Sequence, residues 1–384
     1  MSITIKSLLA QKKQVSLCET HDSSSTEIIR NVTGDGGQPF DGLWISSLTQ
    51  TTYLSVPDTE LISPLHRATL IALDANLQQR KTRRPLCTVF DADNGGDIAD
   101  IPALLAVLAL VGVSMIIIED KSVSEPGQKV NSLAAKSDSQ DQADMHEFAH
   151  VIRAFKSTPG REDMIVTARI ESFTVRHAKS DEAEERLSVQ EALNDALKRA
   201  EVYREAGADA IMIHSKSRDP DEILFFLTEY RSRDPVTPLV VVPTTYSSTM
   251  KTSLYNAGAN VMIYANNLMR AKIRAAGKLS DKILGENPDL FSRDPELSAC
   301  LEARNFGCLL RKLWQRRYWG QESKEAQMYR IITTTYASEN MKGVVKDLLE
   351  GELSSCEADD RIIPVKDLLK INGLQVSAVE DLVA

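Results

Sequence analysis

The chain has 384 residues, 42% of them hydrophobic, with 45 basic against 54 acidic side chains and a net charge of −9. That length suits one α/β barrel carrying an insertion, and the acidic balance excludes the basic surface that nucleic-acid binding requires. No apolar run approaches the roughly 18 residues of a membrane span, and the N-terminal "MSITIKSLLAQKKQVSL" lacks the three regions of a signal peptide, so a soluble, cytoplasmic protein without nucleic-acid or membrane partners is expected.

Eight short apolar runs follow one another, each closed by turn or polar residues. In chain order they are "VSLCET" from Val15, "GLWISSL" from Gly42, "PLCTVFDAD" from Pro85 and "VSMIIIED" from Val113. Then come "MIVTARIESF" from Met164, "ADAIMIHS" from Ala208, "PLVVVPTTY" from Pro238 and "NVMIYANN" from Asn260. Their hydrophobicity is nearly continuous, as strands covered on both faces require. Helical patterns lie between them. "DMHEFAHVIRAF" places Met145, Phe148, Ile152 and Phe155 on one stripe. Ser188 and Glu191 read as a capping box that opens a helix stopped at Gly207, with Ala192, Leu193, Ala196, Leu197, Ala200 and Tyr203 on its apolar face. Another helix ends at Gly258. Strand and helix alternating eight times predict a (β/α)8 TIM-type barrel over residues 1–284. Cys18 and Cys87 fall inside strand-like runs and read as buried small hydrophobes. With Cys300, Cys308 and Cys356 they form no CxxC pair, so reduced thiols are expected rather than disulfides or a zinc site.

Residues 285–360 break the repeat. "ELSACLEARNFGCLLRKLWQRRYWG" and "NMKGVVKDLLEGEL" carry helical periodicity and predict a helical insertion. Trp314, Tyr318 and Trp319 among arginines read as an amphipathic helix with solvated basic residues, in preference to a partner-binding patch.

Every predicted strand ends in polar or ionisable side chains, and in this fold the C-terminal strand ends form the functional face. They are Glu19 and His21, Ser46 and Ser47, Asp91 and Asp93, Glu119 and Asp120, Arg169 and Glu171, His214 and Ser215, Thr244 and Tyr246, and Asn266 and Asn267. Asp91 and Asp93, two apart, are expected to point the same way, with Glu119 ending the adjacent strand. Clustered carboxylates without His or Cys ligands describe a hard-cation site that Mg2+ fits best, with Mn2+ a substitute. The glycines of "DADNGGD" are expected to leave room beside the ion. Arg169 and His214 supply donors for an anionic group. Together they call for a small, doubly anionic oxyacid.

The "EDK" of 119–121, a polar Pro- and Gly-containing loop, then "NS" at 131–132 resembles the signature of the phosphoenolpyruvate mutases of the isocitrate lyase-like superfamily. "GLWISSL", "VPD" with Asp58, "DAD", "ARIESF", "ALKRAEVYREAGADAIMIHSK", "VVVPTTY" and "YANNLMRA" follow in that family's order, over roughly residues 10 to 282. "RIIPVKDLLKING", within a C-terminal segment 361–384, resembles the family's last segment. The resemblance implies that Asp91 holds Mg2+, with Asp93 and Glu119 bound mainly through water. It implies that Trp44, Ser46, Ser47 and Leu48 bind the substrate, the last three cradling its anionic end. Arg169 and His214 would contact the transferring phosphoryl group and the enolate oxygen. Asp58 would sit against phosphorus, although a carboxylate there is also a plausible helix cap. Lys129, Asn131 and Ser132 would lie on a lid, residues 122–140, that keeps water from the reaction.

The chain departs from the family in a lengthened segment between "EDK" and "NS", in "DADNGGD", in "SSL" and in "ANN". The implied activity is Mg2+-dependent interconversion of phosphoenolpyruvate and 3-phosphonopyruvate in a homo-oligomer. Phosphonopyruvate hydrolysis is the rival. Cleavage of a C–C bond in an oxo- or hydroxy-acid is disfavoured because the lyases' "KKCGH" loop is missing. A catalytically silent barrel with a binding insert is the non-enzymatic alternative.

Overall fold

A computed structural model describes residues 3–34, 37–72, 84–122, 129, 141–160, 163–176 and 180–284. The expected 285–360 insertion, the 361–384 segment, Asn131, Ser132 and most of the 122–140 lid lie outside the described residues. The first half of the described chain runs α1 (Ile5–Lys12), β1 (Val15–Thr20), α2 (Ser23–Asn31), β2 (Gly42–Ile45), α3 (Ser47–Leu54), α4 (Pro64–Ala72), β3 (Cys87–Asp91), α5 (Ile101–Leu110) and β4 (Val113–Glu119). It continues with α6 (Met145–Ser157), β5 (Ile165–Ile170), α7 (Ser172–Val175), α8 (Glu182–Glu205), β6 (Ala210–Ile213), α9 (Asp221–Arg233), β7 (Leu239–Val241), α10 (Lys251–Asn256), β8 (Val261–Tyr264) and α11 (Asn267–Leu284). The eight strands pair in parallel, in sequence order, and β1 closes on β8. This is the predicted (β/α)8 barrel, with every strand inside its predicted run. Among the described residues, no helix is long and apolar enough to cross a membrane.

Strand alternation sorts the core into two layers. Val15 and Leu17, Cys87 and Val89, Met115 and Ile117, Val261 and Ile263 fill the barrel interior. The alternate residues, among them Cys18, Phe90, Ile116, Ile118, Ile211 and Ile213, face the helices. Cys18 and Cys87 are thus buried apolar groups, as expected, and burial pushes both thiols up, to about 12. Ile5 and Leu8 of α1 close the interior at its N-terminal end. The capping box of α1 is Thr4 with Ser7, each side chain bonded to the other's backbone N–H. Gly42 opens β2 where a Cβ would stand 2.3 Å from Cys87 Sγ, so the β2–β3 approach admits no side chain.

The same alternation explains "EDK". Glu119 continues the interior face of Met115 and Ile117, whereas Asp120 turns outward and is fully buried against α8. Its Oδ2 accepts hydrogen bonds from Tyr203 Oη at 2.7 Å, Gln142 Nε2 at 2.8 Å and Arg199 Nη1 at 3.3 Å. Its Oδ1 accepts from the Glu171 backbone N at 2.9 Å, tying β4 to the end of β5. Asp120 is therefore structural, and it fixes the rim on which Glu119, Lys121 and Glu171 stand.

Helix α8 corrects the predicted start. It opens at Glu182, one turn and a half before Ser188, and Asp181 caps it by accepting from Ala183 N and Glu184 N, both at 3.0 Å. Strong helix formers follow Asp181 directly, so the Ser188–Glu191 pair falls inside the helix. Its predicted apolar stripe, Ala192 through Tyr203, is buried as expected.

Candidate active site

Side chains at and just beyond several strand ends gather at the C-terminal mouth, most of them by interior parity. From β2 come Trp44 and Ser46, from β3 Asp91, from β4 Glu119 and from β5 Arg169. Met212 and His214 follow from β6, Val242 and Thr244 from β7, and Ala265 with Asn266 from β8. Leu48, Asp58, Lys121 and Lys129 complete one cavity. Nine sequence-predicted residues thus meet there: Trp44, Ser46, Leu48, Asp58, Asp91, Glu119, Lys129, Arg169 and His214. Ser47 lies just behind them. Its Oγ donates to Asp58 Oδ1 at 2.6 Å, and its backbone N donates to Asp91 Oδ2 at 3.3 Å. Ser46 is the N-cap of α3 and makes no side-chain cap bond. The positive end of that helix therefore faces the cavity.

Asp58 caps no helix. It occupies the turn between α3 and α4, six residues before α4 begins, and is 2% exposed. Asp93 also differs from expectation. The strand ends at Asp91, and Asp93 follows in a left-handed turn with φ 52°. It reaches the cluster from below the cavity through that turn rather than through strand alternation. Gly95, with φ 100°, packs where a Cβ would meet Phe155 at 3.0 Å. This glycine therefore serves helix packing, not room for an ion.

Arg67 of α4 was not anticipated, and it organises the floor. It is wholly buried. Its Nη2 donates to Asp93 Oδ2 at 2.6 Å and to the Asp91 carbonyl at 2.5 Å, and its Nη1 donates to Gln50 Oε1 at 2.9 Å. Its guanidinium lies 4.9 Å from the Phe90 ring centroid. The signal was present in the helix pattern: Pro64, Arg67, Ala68 and Ile71 form the buried stripe of α4, and a charge on such a stripe needs a buried partner.

Lys129 is buried, and its Nζ pairs with Asp93 Oδ1 while lying 3.6 Å from both Asp58 Oδ1 and Glu119 Oε1. Lys121 Nζ stands 3.4 Å from Glu119 Oε1. Burial opposes the charge of Lys129, but Asp58, Asp93 and Glu119 outweigh it and hold the ammonium well above its ordinary pKa. At Asp93 burial likewise yields to Arg67 and Lys129, which keep its carboxyl below the usual range. Asp91 lacks such pairing, so burial and the neighbouring Asp93 push it up, to about 6.

The opposite wall is cationic. Arg169 Nη1 lies 3.2 Å from Glu119 Oε2, and its Nε pairs with buried Glu171. Arg169 Nη2 stands 3.1 Å from His214 Nδ1, whereas Glu171 Oε2 is 3.6 Å from the same nitrogen. Guanidinium only donates, so the tautomer that satisfies the shorter contact has Nδ1 accepting and the proton on Nε2, whereas the other tautomer donates Nδ1–H to Glu171. Burial and Arg169 both lower the His214 pKa, so the ring is neutral near pH 7. Glu171, which orients both partners, was visible only as a strand end. Trp44 Nε1 and Asn266 Oδ1 are buried without hydrogen-bond partners, leaving polar capacity beside the cavity.

One further carboxylate joins the site. Oxygens of Glu60, Asp93 and Glu119 lie within 4.8 Å of one another, a group that could hold a metal ion. Burial and Asp93 push Glu60 up, to about 8. Among the described residues, six carboxyls (Asp58, Glu60, Asp91, Asp93, Glu119, Glu171) stand among four cations (Arg67, Lys121, Lys129, Arg169), so acids outnumber bases at the site. Glu60 and Asp91 are the two carboxyls of this set that are pushed up. A divalent cation at the cluster would favour the ionised form of both.

The family profile described as phosphoenolpyruvate phosphomutase matches residues 5–284. The phosphoenolpyruvate phosphomutase of Tetrahymena pyriformis is 31% identical over 299 residues, which is 78% of this chain and 88% of that protein. The phosphonopyruvate hydrolase of Variovorax sp. (strain Pal2) is 28% identical over 247 residues, 64% of this chain and 75% of the relative. A solved phosphoenolpyruvate phosphomutase from Streptomyces platensis subsp. rosaceus superposes with a TM-score of 0.63 at 26% identity, covering 82% of this chain and 98% of its own.

Proposed function

The chain belongs to the phosphoenolpyruvate phosphomutase family, and from that premise we propose that it interconverts phosphoenolpyruvate and 3-phosphonopyruvate with Mg2+, an isomerisation that makes or breaks a C–P bond. The observation that carries this reading is the juxtaposition of Asp58, the carboxylate cluster and the Arg169–His214 pair around one cavity.

The substrate is a small oxyacid with a carboxylate and a phosphoryl group. Ser46, Ser47 and Leu48, at the positive end of α3, receive its anionic end, and Trp44 forms the neighbouring wall. The reaction breaks the bond between phosphorus and the enol oxygen and forms one between phosphorus and carbon 3. A loose phosphoryl-transfer transition state asks the protein for positioning and charge neutralisation rather than covalent work. Arg169 supplies fixed positive charge to the phosphoryl oxygens, and neutral His214 supplies an Nε2–H donor to the enolate oxygen. Asp58, held by Ser47 and near Lys129, faces phosphorus. Asn131 and Ser132 carry over from the family resemblance as further substrate contacts that keep water away.

The donor set suits a hard divalent cation, because it is all oxygen and is gathered within one 4.8 Å span. Asp91, Asp93 and Glu119 would hold Mg2+, or Mn2+ in its place. When bound, the ion supplies charge stabilisation for the substrate's oxygens. Turnover of phosphonopyruvate, followed by the ultraviolet absorbance of the enol product, is expected to stop in excess chelator and to return with Mg2+ or Mn2+. Undiminished turnover in chelator would remove the metal from the mechanism. Assembly into a homo-oligomer and a cytoplasmic location belong to the same proposal. The family resemblance supports the first, and the free thiols of Cys18 and Cys87 fit the second.

A further inference from the structure

Ser47 opens α3 and is the middle residue of "SSL", one of the places where this chain departs from its family. It is 2% exposed. Its Oγ donates to Asp58 Oδ1 at 2.6 Å, across eleven residues of chain. That is the short range of a hydroxyl bonded to a carboxylate. The ammonium of Lys129 stands 3.6 Å from the same oxygen. Asp58 itself occupies the turn between α3 and α4, outside any helix or strand, so side-chain contacts must hold its carboxylate in place.

The contact belongs to the side chain alone. The Ser47 backbone N donates separately to Asp91 Oδ2 at 3.3 Å, so loss of the hydroxyl leaves that bond and the start of α3 in place. Against burial, Arg67, Lys129 and the Ser47 hydroxyl hold the Asp93 carboxyl low. A serine hydroxyl has one proton, however, and the 2.6 Å contact directs it to Asp58. Asp58 lines the cavity in which the phosphoryl group moves in the proposed reaction. A carboxylate there has two uses: it positions phosphorus, or it takes a proton from water as a general base. The hydroxyl fixes the plane of the carboxylate and occupies on Oδ1 a place that a water molecule would otherwise take.

We propose that Ser47 is a positioning residue that sets the outcome of the reaction: its hydroxyl holds the Asp58 carboxylate toward phosphorus and keeps water off Oδ1, so that phosphoryl transfer stays within the substrate. This inference rests on the mutase reading of the site and adds to it a residue on which the choice of product depends. Without the hydroxyl, Oδ1 takes a proton from a water whose oxygen bonds to phosphorus. The bond from phosphorus to carbon 3 breaks with its electron pair left on the enolate, and the proton passes from Asp58 to carbon 3. Phosphonopyruvate and water then give phosphate and pyruvate.

The test is Ser47→Ala in the full-length protein with 3-phosphonopyruvate and Mg2+, its products read by phosphorus NMR beside those of wild type. Ser47→Ala is expected to lower kcat by about tenfold or more, to keep KM within about threefold, and to release inorganic phosphate as a measurable share of product. Asp58→Ala, alone or combined with Ser47→Ala, should turn over at one rate within about twofold and release no phosphate, because the hydroxyl acts through Asp58. Should Ser47→Ala fail to fold, Ser47→Gly removes the same hydroxyl and carries the same expectation. Three results overturn the proposal: phosphoenolpyruvate as the sole product of the folded single variant, a loss carried by KM, or phosphate that persists in the double variant. Where wild type forms phosphoenolpyruvate and Ser47→Ala matches it, only this inference fails. Where wild type itself releases phosphate, the mutase reading fails and takes this inference with it.

Discussion

Asp58→Ala is expected to fold normally, to bind substrate within a few-fold of wild type, and to lose turnover by about 10³-fold or more. The side chain caps no helix, and Ser47 Oγ donates to it at 2.6 Å. Its removal relieves repulsion in an over-acidic cluster, so little stability should be lost. What disappears is the carboxylate proposed to face phosphorus, beside Lys129. A kcat that falls while KM holds assigns Asp58 to the transition state rather than to ground-state binding. A stable variant turning over near the wild-type rate would reduce Asp58 to a loop residue.

Arg67→Met should produce the largest loss of stability, about 3 to 5 kcal/mol, because it leaves Asp93 buried and half-paired. The guanidinium is wholly enclosed and donates to Asp93, the Asp91 carbonyl and Gln50, and of these Asp93 keeps Lys129 as a second cationic partner. Adding Asp93→Asn to Arg67→Met should recover part of the loss, since the second change removes the stranded charge. Chemical denaturation of the four members of the cycle measures this coupling. A single-mutant cost under about 1 kcal/mol, or no recovery in the double mutant, would show that Arg67 does not sustain the floor of the site.

These two residues mark what was legible in the sequence. Asp58 was found through a motif and Asp91, Glu119, Arg169 and His214 through the rule that barrel strands end at the functional face. The continuous apolar runs made the strands visible, and alternation within them aims those four side chains inward. Arg67 and Glu60 escaped because they stand on a helix and a turn between strands, where no strand-end rule reaches. Arg67 becomes significant only once α4 packs its buried stripe under β3. The start of α8 was misplaced for a different reason. Ser188 and Glu191 satisfy a capping pattern, but Asp181 does the same earlier, ahead of residues that favour helix, and the longer helix prevails. Asp120 read as a rim charge like Glu119. Parity turns it outward into the network of Tyr203, Arg199 and Gln142, where it serves the fold.

The most direct test of the proposed reaction is phosphorus NMR of the purified full-length protein with 3-phosphonopyruvate and Mg2+. Loss of the phosphonate resonance with matching growth of the phosphoenolpyruvate resonance is the predicted result, because a phosphoryl group that moves within a closed site leaves no inorganic phosphate. Growth of inorganic phosphate with accompanying pyruvate would contradict the account and place water, rather than the enolate oxygen, at the phosphorus.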